Sequence, residues 1–163
     1  MDVRLRNMTS LYLVRENAVL CLYRVGSRVV SNRYIGSAGG HFENEELNDP
    51  KRCVLRELRE ELGLTEADLE GLSLRYITHR LMQGEVRQNY YFFARLKSNR
   101  ELSSTEGSLR WVSFEELPAL PMPVSAKHMI LHYLQEGQFN DTLYGGITEE
   151  SGTAFIPMVE FEG

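Results

Sequence analysis

Glu57, Glu60 and Glu61 stand at i, i+3 and i+4. At about 100° per residue they share one sector of a helix, so three like charges are forced together. Each like-charged i,i+4 pair costs a helix roughly 0.2–0.5 kcal/mol, and Arg56, four residues before Glu60, offsets only part of that charge. A hard divalent cation would join all three carboxylates. Oxygen donors alone favour Mg²⁺, with Mn²⁺ as the alternative, over zinc, and Mg²⁺ commonly completes its shell with waters and substrate phosphates. The chemistry indicated is therefore phosphate chemistry; without a cation the same residues would form an ordinary solvated acidic face.

These residues need a helix that is buried on one side. Leu55, Leu58 and Leu62 recur at i, i+3 and i+7 and supply the apolar stripe next to the acidic one. Asp49 is a good N-cap, Pro50 suits the first helical position and Gly63 suits the end. Upstream, Gly39 and Gly40 lack side chains and let backbone come close to a ligand.

The run Arg56-Glu57-Leu58-Arg59-Glu60-Glu61-Leu62-Gly63-Leu64, with Gly40 and Glu46 ahead of it, resembles the Nudix box, G-x5-E-x7-R-E-U-x-E-E-x-G-U, where U is a bulky aliphatic residue. One departure concerns the loop: positions 47–55 lie between Glu46 and Arg56, nine residues where the pattern has seven. Strict counting back from Arg56 lands on Asn48, and Glu43, Glu45 and Glu46 all remain open for the first glutamate slot. The resemblance implies an α+β Nudix fold, an α/β/α sandwich with a central mixed β-sheet and a loop-helix-loop motif over about residues 39–64. It implies metal ligands at the Gly40 carbonyl, Glu57, Glu60 and Glu61, and a structural role for Arg56, pairing with carboxylates to fix the loop against the helix. Members of the family differ in where the catalytic base lies, which here leaves Glu57 and Glu106 open; Glu106, just before the strand-like Leu109 to Ser113, is also a candidate extra metal ligand.

The rest of the chain reads as strands around this box. Met8 to Arg15 and Ala18 to Val25 are apolar segments of strand length parted by Glu16-Asn17. Arg24, ahead of the GSRVVSNRY approach to the box, and Arg33, near its end, are candidates to contact substrate. Leu72 to Met82 and Val86 to Leu96 read as a hairpin, and Tyr90 to Phe93 alternate aromatics onto both faces of a sheet covered on both sides. Ser113 is expected to open a short helix, and Ser125 to cap a helix running to about Gly137. His128 and His132 on that helix lack the neighbouring Glu of a zinc protease motif and read as packing or surface residues. The C-terminal stretch holds two short strand candidates, for the sheet edge or for a homodimer contact.

The chain has 163 residues, a net charge of −5 and two cysteines, Cys21 and Cys53. The length suits one domain over residues 1–163. The acidic balance speaks against a nucleic-acid polymer as partner, since such surfaces are basic. No stretch has the length of a membrane span or a signal segment, and the two distant cysteines fit a reducing compartment, so a cytoplasmic location is expected. The expected activity is Mg²⁺-dependent hydrolysis of a nucleoside diphosphate linked to another group. By resemblance to MutT-type members, the substrate is an oxidised purine nucleoside triphosphate such as 8-oxo-dGTP. Hydrolysis of ADP-ribose or a nucleotide sugar is the alternative, and a module that binds nucleotide without cleaving it is a third reading.

Overall fold

A computed structural model describes residues 1–25 and 32–163; the first six residues of the GSRVVSNRY approach lie outside the described residues. Among the described residues the architecture is one mixed sheet of nine strands with a helix packed on each face. The strands are β1 (Arg4–Arg15), β2 (Ala18–Arg24), β3 (Arg33–Ile35), β4 (Ala38–His41), β5 (Leu69–Met82), β6 (Glu85–Leu96), β7 (Ser108–Ser113), β8 (Tyr144–Glu149) and β9 (Gly152–Pro157). The helices are α1 (Pro50–Leu62) and α2 (Val124–Gln135). The main path runs β3-β2-β1-β6-β5-β8-β9, with β4 paired to β1 and β7 to β2. The β1–β6 and β5–β8 pairs are parallel and the others antiparallel.

Alternation along β1 sorts the interior into two clusters. Leu11 and Leu13 face α1, joining Phe92, Ala94, Val54 and Leu58. Tyr12 and Val14 face α2, joining Tyr91, Phe93, Met129, Ile130 and Tyr133. The aromatic run of β6 is thus divided between the two faces, with Phe93 stacked 4.2 Å from Tyr133. Cys21 is fully buried among the second cluster as a small hydrophobe.

Helix α1 begins and ends where its signals lie. The Asp49 carboxylate accepts from the Arg52 N–H at 3.1 Å, and Gly63 adopts φ +66°, the left-handed turn that closes the helix. Two expectations are corrected. Ser113 opens only a turn, accepting from the Glu116 N–H at 3.3 Å, and the helical residues are the short 3-10 turn Leu117–Ala119. Ser125 does not cap α2, which starts at Val124 after Pro123 and ends at Gln135. The Ser125 hydroxyl is instead buried and donates to Thr148 Oγ1 at 3.1 Å. Lying inside the first turn rather than ahead of it, Ser125 joins α2 to the C-terminal hairpin through Thr148, Thr153 and His128. That hairpin, β8–β9, extends the sheet edge beyond β5.

Candidate active site

Strand β4 lies between β1 and helix α1, and its glycines decide how closely each approaches. Gly39 has φ +153°, and a Cβ there would run into the Thr9 carbonyl oxygen; a Cβ on Gly40 would collide with the Glu57 carboxylate. The chain thus needs two bare residues here, one for its backbone conformation and one for the space that Glu57 occupies. The Gly39 N–H donates to Glu61 Oε2 at 2.9 Å and latches the loop to the helix.

Arg56 organises the other side of the helix. Its Nε and Nη2 donate to the two oxygens of Glu46, at 2.8 and 3.0 Å, a bidentate pair. Nη1 reaches Glu57 Oε1 at 3.0 Å and Glu60 Oε2 at 3.1 Å, and Nη2 also donates to the His41 carbonyl at 3.0 Å. Glu46, 1% exposed, further accepts from the Glu43 N–H at 2.9 Å. Hydrogen bonding from Arg56 holds its carboxyl down to about 2, against the opposing effect of burial. Of the residues open for the first glutamate slot, Glu46 is therefore the one that grips Arg56 through both oxygens. Glu43 lies 3.7 Å away on the flank, and the loop reaches α1 through the 3-10 turn Asn44–Glu46 and the turn at Leu47 and Asn48, where the longer spacing begins.

A cleft of about 990 Å³ opens over the Gly39-Gly40 strand and is lined by Arg24, Arg33, Gly40, Arg56, Glu57, Glu61 and Glu106. These are all but one of the site residues expected from sequence. The exception is Glu60, whose carboxylate sits on Arg56 and is largely exposed. Glu57 and Glu61 are the half-buried pair. Burial raises both carboxyls, Glu61 up to about 7, with Glu57 and Glu106 adding to the effect on Glu61 and the Gly39 N–H and Arg24 opposing it. Glu106 reaches the cleft from the loop before β7 and accepts from Arg24 at 2.7 Å. Arg24 is therefore bound to the one carboxylate expected outside the box, an ion pair between segments that sequence alone keeps 82 positions apart.

The donor set fits a hard divalent cation. Among the described residues no three acidic, histidine or cysteine groups form a ready-made cage. Mg²⁺, however, is usually held by one or two carboxylates completed by waters and substrate phosphates. Glu57 and Glu61, crowded, half-buried and all-oxygen, have the surplus charge that such an ion relieves. Cys53 lies beneath, its Sγ 3.4 Å from Thr9 Oγ1, and burial pushes its thiol up to about 11, so it is inert packing.

Sequence reasoning missed the other wall. Arg6, Arg80, Arg87 and Asn89 line the same cleft from β1, β5 and β6. No local motif marks them, because only strand register brings them together.

A mixed sheet flanked by a helix on each face, with carboxylates presented from a loop-helix-loop, defines a hydrolase of nucleoside diphosphate-linked substrates. The NUDIX domain family matches residues 4–133, and the chain belongs to the Nudix family. The structure is similar to a mutator MutT protein from Bacillus halodurans at 26% identity and TM-score 0.66, covering 87% of this chain and 88% of that one. It is also similar to a MutT NUDIX hydrolase from Burkholderia pseudomallei (24% identity, TM-score 0.63, 79% and 97% covered) and to a C. elegans Ap4A hydrolase (14%, 0.67, 83% and 99%). These last two likenesses show the fold alone. No curated protein sequence matches. None of the helices among the described residues is long and apolar enough to cross a membrane.

Proposed function

We propose that this cleft hydrolyses the diphosphate linkage of a purine nucleoside triphosphate, an oxidised one such as 8-oxo-dGTP, to the monophosphate and pyrophosphate, with Mg²⁺ as the cation and Mn²⁺ as its substitute. The observation that carries this reading is the division of charge within one cleft: carboxylates Glu57 and Glu61 at the α1 end and arginines Arg6, Arg24, Arg33, Arg80 and Arg87 around the remainder, in a protein whose net charge is −5. A basic lining in an acidic protein suits a polyanionic substrate. The triphosphate follows from the MutT-type resemblance of the sequence, with which the likeness to the Bacillus halodurans MutT protein agrees.

Glu57, Glu61 and the Gly40 carbonyl would hold the cation, with Glu60 joining them on release from Arg56. Such an ion would neutralise the anhydride's charge and lower the pKa of a bound water. The chain's own residues do the rest. Arg56 and Glu46 keep the loop fixed against the helix, the Gly39 N–H orients the Glu61 carboxylate, and Arg24 holds Glu106 at the cleft edge. Glu57 and Glu106 are the carboxylates available to take the water's proton; each accepts from an arginine, Glu57 from Arg56 at 3.0 Å and Glu106 from Arg24 at 2.7 Å.

A second reading has a specific observation behind it. A cleft of about 990 Å³ stands at the upper end of the ~300–1,000 Å³ usual for ligand sites. It has room for a diphosphate joined to a second moiety, as in ADP-ribose or a nucleotide sugar. The test is a panel of 8-oxo-dGTP, dGTP, ADP-ribose and nucleotide sugars with Mg²⁺, followed by phosphate or pyrophosphate release. Cleavage of 8-oxo-dGTP with pyrophosphate release, reduced at least ~100-fold by Glu57→Gln or Glu61→Gln and abolished by chelation, is the expected result. Full activity in both variants, or no turnover of any compound, overturns the assignment.

A further inference from the structure

Arg6, Arg87 and Arg80 occupy one row of the sheet. Arg6 is the register partner of Arg87 across β1–β6, and Arg87 is that of Arg80 across β6–β5. Strands are spaced about 4.8 Å apart, so three guanidinium-bearing chains rise side by side from the same face, and like charges opposite one another destabilise a sheet. Partial compensation comes from Glu85, whose Oε1 accepts from Arg87 at 3.0 Å and lies 3.7 Å from Arg6. Arg6 also donates to His41 Nε2 at 3.0 Å, a contact that carries no negative charge. Among the described residues no carboxylate forms an ion pair with Arg80. One carboxylate thus faces three cations, all half-buried in the wall of the cleft.

The position of the row is as informative as its charge. Gly40 is the register partner of Thr9, and Arg6 lies three residues earlier on the same strand. At about 3.3 Å per residue the row is roughly 10 Å from Gly40. Adjacent phosphorus atoms of an anhydride share one bridging oxygen, so both phosphates of a linkage cleaved beside Glu57 stay near that end. The row is left for a different anionic group of the same substrate.

We propose that Arg6, Arg87 and Arg80 form a second anion subsite that binds a phosphomonoester on the part of the substrate distal to the cleaved diphosphate. This rests on the reading of the cleft as a diphosphate hydrolase site and extends the compounds it accepts to nucleoside diphosphate derivatives that carry a phosphomonoester away from the cleaved linkage, on either side of it. Asn89, on the same wall, supplies an amide for the neighbouring hydroxyls of the phosphorylated part.

The test uses two matched pairs that differ by one phosphomonoester, NADP⁺ against NAD⁺ and coenzyme A against dephospho-coenzyme A. Binding is measured by calorimetry on the whole protein without divalent metal, at low ionic strength, so that no turnover enters. The phosphorylated member of at least one pair should bind about tenfold or more tighter, as expected of charge-assisted contacts. That preference should collapse in Arg80→Gln, persist in part in Arg80→Lys and fade with added salt. Among the described residues Arg80 has no ion pair to lose, and its replacement relieves a like-charge contact, so Arg80→Gln should melt no lower than the parent protein. Equal binding within both pairs, or a preference that Arg80→Gln leaves intact, overturns the subsite. The hydrolase reading fails separately: no Mg²⁺-dependent cleavage of any panel compound would remove it while leaving a measured pair preference standing.

Discussion

Glu46 and Glu61 are two glutamates of one motif that the fold drives to opposite protonation behaviour. Glu46 is buried but receives both donors of Arg56, so its folded pKa falls to about 2. A depressed carboxyl contributes stability above its unfolded value and loses it as pH falls through the folded one. The contribution should be complete above about 4.5 and disappear towards 2, and it amounts to about 3 kcal/mol. Urea melts at pH 7, 4 and 2.5 should show this acid loss, and Glu46→Gln should be less stable at pH 7 by a similar amount with a flatter acid limb. An acid limb unchanged in the variant would show that the pair does not govern it. Glu61 has the reverse sign. Burial raises its carboxyl to about 7, so in metal-free protein the folded state holds the proton more tightly and stability falls as pH rises from about 4.5 through 7. Glu61→Gln should remove that slope in metal-free melts. Cation affinity in the parent should climb over the same window, because a ligand must be deprotonated to bind.

At the scale of elements, β4 is set between β1 and α1 by two successive glycines, Gly39 against the Thr9 backbone of β1 and Gly40 against the Glu57 side chain of α1. Gly39→Ala sets a Cβ against the Thr9 carbonyl at φ +153°, a conformation that costs a side chain on the order of 1–3 kcal/mol. Gly40→Ala meets only the end of a flexible glutamate, so the fold should survive while the Glu57 carboxylate is displaced. Thermal melts should therefore rank Gly39→Ala well below Gly40→Ala. Titration with Mn²⁺ should show Gly40→Ala losing about tenfold or more in affinity, as expected when a ligand is misoriented. Unaltered Mn²⁺ affinity in Gly40→Ala would separate Glu57 from the cation site.

Across the whole molecule, the C-terminal hairpin lies beyond the residues that the family matches and is held by an unusual clamp. Arg75, 6% exposed, has no carboxylate partner among the described residues; its guanidinium donates to the carbonyls of Thr142 and Gly137, at 3.0 and 2.7 Å, and to Asn140 Oδ1 at 3.1 Å. It satisfies the turn after α2 and fixes the point from which β8 joins β5. Arg75→Ala would take the donor from the part-buried Thr142 carbonyl, at about 1–3 kcal/mol for a group left unpaired, and would leave Gly137 O and Asn140 Oδ1 with only the Asn140 and Thr142 N–H groups. Hydrogen exchange should rise in β8 and β9 in that variant, while α1 and β4 keep their protection. Uniform loosening of the whole sheet would argue against a local clamp.

What the sequence determined by itself was local chemistry. Spacing placed Glu57, Glu60 and Glu61 on one helix, Asp49, Pro50 and Gly63 bounded it, and the alternating aromatics Tyr90 to Phe93 already implied a sheet covered on both faces, since helical and strand periods are written along contiguous residues. The tertiary structure decided what depends on partners far away in the chain. It chose Glu46 to grip Arg56, joined Arg24 to Glu106, and moved Ser125 from a helix cap to a tie with Thr148. It also aligned Arg6, Arg87 and Arg80, which no motif links. Register between strands and the burial that shifts a carboxyl are properties of packing, and no single stretch of residues encodes them.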